Sequence, residues 1–323
     1  MTDETHAHST DHGPGHDHGP NPALLASGAE GIRATKVSLI GLGLTALAQF
    51  VIVLVSGSVA LLSDTLHNIG DAATAIPLWI AFSVGMRPAT RRYTFGLGRA
   101  EDVAGIVIVA AIGLSAALIA WESVNRLIEP EPIRAAGWVI AAGFVGALGN
   151  EWVARYRMRV GRRIGSEALV ADGRHARSDA LTSLAVVVAG VGALFGLAWV
   201  DPVAGLVVAG AIVVLLVRSG RVIVRRLLDG IEPELVDRAR AALLGTEGVE
   251  GVADLRMRWQ GHLLRVEASI GVDPDLSVAG GHEIGHAAEH ALHHEFDRPL
   301  VVTVHVEPAD RSGHEDVSHH TGG

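Results

Sequence analysis

The chain has 323 residues, 49% of them hydrophobic and only 19% charged, and the apolar residues fall in long runs. That composition excludes an ordinary soluble globule and points to a membrane protein. The absence of cysteine excludes disulfides, thiolate metal sites and cysteine nucleophiles, and a net charge of −9 with arginine gathered beside the apolar runs gives no reason to expect nucleic acid.

Residues 1–32 read as a disordered tail, because nothing in them can build a core. The tail holds His6, His8, His12, His16 and His18, suited either to plain solvation or to loose metal capture. It lacks the basic-then-apolar pattern of a signal segment, so no cleaved signal peptide is expected.

Six apolar spans are predicted within 33–228, at about 37–55, 58–85, 103–120, 135–154, 166–200 and 202–217. The second contains "LLSDTLHNIGD", and the fourth carries Asn150 and Glu151 near its end. Asp201 with Pro202 is expected to cap the sixth. Basic residues select one side. The connection after span 2 carries four Arg within "RPATRRYTFGLGR". That after span 4 is read as a loop holding Arg155, Arg157, Arg159, Arg162 and Arg163, and Arg221, Arg225 and Arg226 follow span 6. The positive-inside rule then puts both termini in the cytoplasm of a multi-pass inner or plasma membrane protein.

Residues 229–308 change character. A helix, two period-two segments turning at Gly261, a second helix and a third alternating segment give the order αββαβ, a small α+β domain. In "LVVTVHVE", period two sets Val302, Val304 and Val306 opposite Thr303, His305 and Glu307. Residues 309–323 form a polar tail with His314, His319 and His320.

Ionisable groups at bilayer depth are costly. Two spans nevertheless carry the same pattern, D-x-x-H-x-x-x-D, as Asp64, His67, Asp71 and as Asp172, His175, Asp179. Positions i, i+3 and i+7 share one helix face. Two such faces turned toward each other offer two imidazoles and two carboxylates, a set suited to tetrahedral Zn2+ and also to Co2+, Ni2+ or Fe2+. A polar pair gluing two helices is the plainer reading, but Asn or Ser would do that at lower cost. Asp64 and Asp172, one turn before each His, fit supporting or proton-relay roles better than ligation. Metal entry would displace protons. Glu151 reads as an interfacial carboxylate paired with the arginines, with Asn150 and Glu151 as secondary ligands the alternative.

With these residues in view, the chain resembles the cation diffusion facilitators over about 33–308, on "LLSDTLHNIGD", "YTFGLGRAE", "ADGRHARSD" and "HVEP". The resemblance implies a six-helix metal/proton antiporter that exports metal by alternating access, with a ferredoxin-like cytoplasmic domain that makes a homodimer. It implies a transport site of His67, Asp71, His175 and Asp179, of the zinc type, with Zn2+ as substrate, Co2+, Ni2+, Fe2+ or Cd2+ as alternatives, and no organic cofactor. Some members carry two His in the connection after span 2, where this chain has Tyr93 and Leu97, so that extra site is not expected. For a cytoplasmic-domain metal site, His282, His305 and Glu307 fit the family pattern, while Glu267 and Ala253 stand where His is expected.

A competing motif is "HEIGH", which matches the zinc-peptidase pattern H-E-x-x-H with His282 and His286 as ligands and Glu283 as base. A membrane metallopeptidase would leave the intramembrane His and Asp residues unexplained. A solvated face for His282, His286, His290, His293 and His294 is the simplest account of that helix. A metal sensor without transport fits the small domain but not the paired intramembrane ligands.

Overall fold

The computed structural model describes residues 22–56, 75–129, 135–197, 199–296 and 298–309. The N-terminal part is helical: α1 (Pro22–Ser56), α2 (Ala75–Gly85), α3 (Ala100–Ile128), α4 (Ala136–Ile164), α5 (Glu167–Leu194) and α6 (Val200–Leu227). Among the described residues four helices are long and apolar enough to cross a membrane, Ala23–Ile52, Ala100–Ile128, Glu167–Leu194 and Val200–Leu227. Their outward faces are apolar, with Leu54, Leu118 and Val207 half to two-thirds exposed. Such a surface is stable against lipid rather than water. Of the expected second span only α2 is described, and "LLSDTLHNIGD" lies outside the described residues.

Three sequence expectations change. Residues 22–32, read as part of the disordered tail, are the first turns of α1, which opens at Pro22, a residue whose fixed φ suits a helix start. The arginine-rich stretch read as a loop is the second half of α4, which runs to Ile164 and stops at Gly165 in the left-handed region (φ 79). Arginine is a good helix former, and Arg155, Arg157 and Arg163 find carboxylate partners in Glu151 of α4, Asp172 of α5 and Glu30 of α1. Asp201 does not cap α6. Trp199 stands at the cap, and Asp201 accepts a hydrogen bond from Arg126 of α3 at 2.8 Å.

The link from α4 to α5 is therefore only Gly165 and Ser166. The Ser166 hydroxyl caps α5 by accepting from the Leu169 N–H at 3.1 Å. The two helices run antiparallel at close range. A Cβ on Gly173 would stand 3.0 Å from Met158 N and 3.1 Å from Ala154 O, so the glycine is what lets the α4 backbone pass.

The C-terminal domain follows as α7 (Pro233–Leu244), β1 (Gly251–Gln260), β2 (Leu263–Val272), α8 (Val278–Glu295) and β3 (Leu300–Pro308). This is the expected αββαβ order. The sheet order is β1-β2-β3, with β1–β2 antiparallel and β2–β3 parallel, joined through α8. Val266, Ala268, Ile270, Val302, Val304 and Val306 face a core shared with Ala239 and Leu243 of α7 and Ala288 and Leu292 of α8. As the alternation predicted, Thr303 and His305 are exposed on the other face. Glu267 lies beside Thr303 in the register and Ser269 beside His305.

Candidate metal site

The α5 face carries Asp172, His175 and Asp179, as the spacing required. Asp172 and His175 are fully buried, and the Asp179 side chain is 12% exposed. His175 Nδ1 lies 3.9 Å from Asp179 Oδ1, beyond hydrogen-bond length. Neither imidazole nitrogen of His175 has a hydrogen-bond partner among the described residues. A buried imidazole in that state loses solvation without replacement. Ser178 Oγ donates to the His175 carbonyl at 2.6 Å and stands 3.4 Å from Asp179 Oδ1.

Asp172 makes no hydrogen bond to His175 among the described residues. It pairs instead with Arg157 of α4, Nη1 to Oδ2 at 2.9 Å, with both side chains buried (1% and 0% exposed). Arginine remains charged in proteins, so Asp172 is committed to balancing it. The motif's own arginines point to different neighbours. Arg174 reaches Ser219 of α6 at 3.3 Å. Arg177 makes a two-pronged contact with Glu151 of α4, at 2.8 and 3.1 Å. Glu151 also accepts from Arg155 at 2.7 Å, so it is an ion-pair partner, as the plainer sequence reading held. Asn150 is buried, 4% exposed. His67, Asp71 and Asp64 lie outside the described residues, so the facing half of the constellation is not described.

In the C-terminal domain the candidate ligands do not converge. Among the described residues no three His, Asp or Glu side chains stand close enough to hold a metal ion. His282 and Glu307 line one cavity of about 370 Å3 with Asp273, Leu276 and Val306. His305 lies on the sheet face away from Val306, the face that alternation also gives Glu307. His282 and His286 touch through Nε2 atoms 3.0 Å apart on the exposed side of α8. Tyr93 is exposed; its carbonyl accepts from the Thr90 and Gly96 N–H groups and its N–H donates to the Thr90 hydroxyl.

Sequence reasoning passed over Arg157 and Gly173. It also passed over Glu101 and Asp102, buried in the first turn of α3. Two acids opening an apolar helix were a readable signal, since carboxylates favour a helix N-terminus.

Among the described residues, four helices apolar enough to cross a membrane, followed by a small αββαβ domain, make the chain a membrane protein with an appended α+β domain. The comparisons agree. The family described as "Cation efflux transmembrane domain" matches residues 35–228, and "Cation efflux protein, cytoplasmic domain" matches 231–309. A protein named "Probable cation efflux system protein" in Mycobacterium tuberculosis is 52% identical over 286 residues, covering 88% of this chain and 86% of its own. The manganese efflux system protein MneS of Bacillus subtilis is 27% identical, covering 79% of this chain and 87% of its own. The magnetosome protein MamB of Paramagnetospirillum magneticum is 26% identical, again covering 79% and 87%. The chain belongs to the cation efflux family, the cation diffusion facilitators, and is a cation efflux transporter. With that, the peptidase reading of "HEIGH" is set aside.

Proposed function

We propose that the protein exports Zn2+ from the cytoplasm in exchange for protons, by alternating access, as a homodimer in the inner or plasma membrane with both termini cytoplasmic. His67, Asp71, His175 and Asp179 hold the ion. The observation that carries this reading is His175, buried in a membrane helix beside Asp179 with neither ring nitrogen hydrogen-bonded among the described residues. Imidazole nitrogen favours Zn2+, Co2+, Ni2+ or Fe2+ over Mn2+, which prefers oxygen, although one relative is named for manganese efflux. Asp172, tied to Arg157, supports the site by holding α4 against α5 rather than by touching metal.

The test is metal flux in proteoliposomes under an imposed pH gradient, with Zn2+, Co2+, Ni2+, Fe2+, Mn2+ and Cd2+ in competition. Asp179→Ala is expected to abolish flux. Wild-type flux in that variant would remove the site assignment, flux without a change in internal pH would remove proton exchange, and preferred Mn2+ transport would remove the zinc reading.

A further inference from the structure

A groove of about 840 Å3 lies between α1 and α4. Its rim carries Arg33 and Lys36 from α1 and Arg163 from α4, and all three side chains are exposed. The only carboxylate among its described lining residues is Glu30, which pairs with Arg163. Three positive charges against one negative leave the groove cationic. Its remaining wall is largely apolar, with Val37 and Ile40 of α1 beside the Tyr156 ring of α4.

The groove stands at the level of lipid headgroups. Residues 37–55 of α1 are uncharged, and at about 1.5 Å per residue that run nearly matches the roughly 30 Å of a hydrocarbon core. Lys36 immediately precedes the run, and Arg33 stands about one turn further out. Tryptophan and tyrosine collect at membrane boundaries, and here they gather at the same level. The Lys36 ammonium lies 5.8 Å from the ring of Trp79 of α2. Trp152 stacks on Tyr156 with centroids 5.9 Å apart. Trp79 and Trp152 are 42% and 53% exposed. A Cβ on Gly41 would lie 2.7 Å from Trp152 Cζ3, so α1 and α4 close against each other on the apolar side of the groove. Past that contact Ile40, Leu44 and Leu47 carry an exposed apolar face along α1.

We propose that this groove binds an anionic phospholipid, its phosphate diester held among Arg33, Lys36 and Arg163 and its acyl chains laid along Ile40, Leu44 and Leu47. A guanidinium can donate two N–H groups to one phosphate, and an ammonium adds a point charge. Free phosphate would match the cations and leave the apolar wall bare. The N-terminal segment 1–21 carries Asp3, Glu4, Asp11 and Asp17 but has little that is apolar, so it too matches only the cations. An anionic lipid matches both halves. Bound there, one headgroup ties α1 to α4. The site is independent of which metal is carried.

The chain has no cysteine, so a fluorophore on Ala29→Cys, an exposed position lining the groove, reports on this place alone. The labelled full chain in neutral detergent is titrated with short-chain phosphatidylglycerol, with phosphatidylcholine of the same chains, and with inorganic phosphate. Phosphatidylglycerol is expected to give a saturable change. Its midpoint should rise about fivefold for each of Arg33→Gln, Lys36→Gln and Arg163→Gln, the factor that one basic residue at a membrane surface supports. It should stay unchanged for Arg221→Gln, an exposed cation of α6 outside the groove. Glu30→Gln should lower the midpoint by about the same factor, a gain that misfolding cannot produce. Phosphatidylcholine should need about tenfold more lipid or beyond, and inorganic phosphate at the same concentrations should give no saturable change. Asp11→Asn with Asp17→Asn should leave the phosphatidylglycerol midpoint where it was. Equal midpoints for the two lipids, or a loss in Arg221→Gln as large as in the groove variants, would overturn the site. Phosphate saturating as readily as phosphatidylglycerol would make the groove a phosphate site, and a shift on neutralising the tail as large as in the groove variants would assign it to the tail; either result overturns the lipid.

Discussion

Removing one member of the Arg157–Asp172 pair is expected to cost far more than removing both. At 2.9 Å the attraction is about 6 kcal/mol with an effective dielectric near 20. Desolvating each ion costs several kcal/mol, so the intact pair is close to neutral for stability. Deleting one partner strands the other charge, at about 3–5 kcal/mol. Arg157→Met and Asp172→Leu should each lose about that much, while the two together should fall within about 1 kcal/mol of wild type. Exposed pairs such as Arg238–Glu295, 52% and 36% exposed, set the contrast at about 0–1 kcal/mol. Denaturant titration in mixed micelles, run as a double-mutant cycle, measures all of these. The reasoning fails if either single variant is within 1 kcal/mol of wild type, or if the double variant loses the sum of the singles. The double variant should also retain metal flux, because Asp172 is not a ligand in this reading.

Gly173→Ala should destabilise by up to about 2 kcal/mol: overpacking against Met158 N and Ala154 O costs about 1–3 kcal/mol, less the better helix propensity of alanine. Gly210→Ala, whose added Cβ meets nothing within 4 Å, should instead gain up to about 1 kcal/mol in the same titration; equal effects at the two sites would show that α4 and α5 are not in backbone contact. At Glu232, burial raises the carboxyl pKa, but the Trp259 indole N–H at 3.0 Å and the nearby Arg225 and Arg226 outweigh it and hold the carboxyl below its ordinary 4.5. A lowered pKa stabilises the fold at pH above the ordinary value, and that stability is lost as pH falls through the folded one. The stability gap between wild type and Glu232→Gln should therefore be constant near neutrality and close below about pH 4.5; a gap that widens on acidification would reverse the sign.

The helical membrane character and the αββαβ order were legible because both rest on local periodicity. Strand residues Val302, Val304 and Val306 face the core as their alternation required. The end of α4 was misread because arginines beside an apolar run look like a loop; what makes them helical is partners elsewhere in the chain, Asp172 for Arg157 and Glu30 for Arg163. The Arg157 partner of Asp172 was hidden for the same reason. The neighbour of Asp172 in sequence is His175, but its partner comes from another helix, and a local motif holds no record of that. Gly173 was silent because it is defined by what approaches it, the α4 backbone.

The short link between α4 and α5 makes that pair a lever. With only Gly165 and Ser166 between them and close packing along their length, neither helix can tilt without the other. His175 sits about 14 Å along the axis from the Ser166 cap, at about 1.5 Å per residue. A swing of about 10° about that end would carry the imidazole roughly 2 Å, about the length of a whole metal–nitrogen bond. A small rotation at the basic end, where Arg226 grips Gly165, would therefore carry the His175 ring by the full length of such a bond.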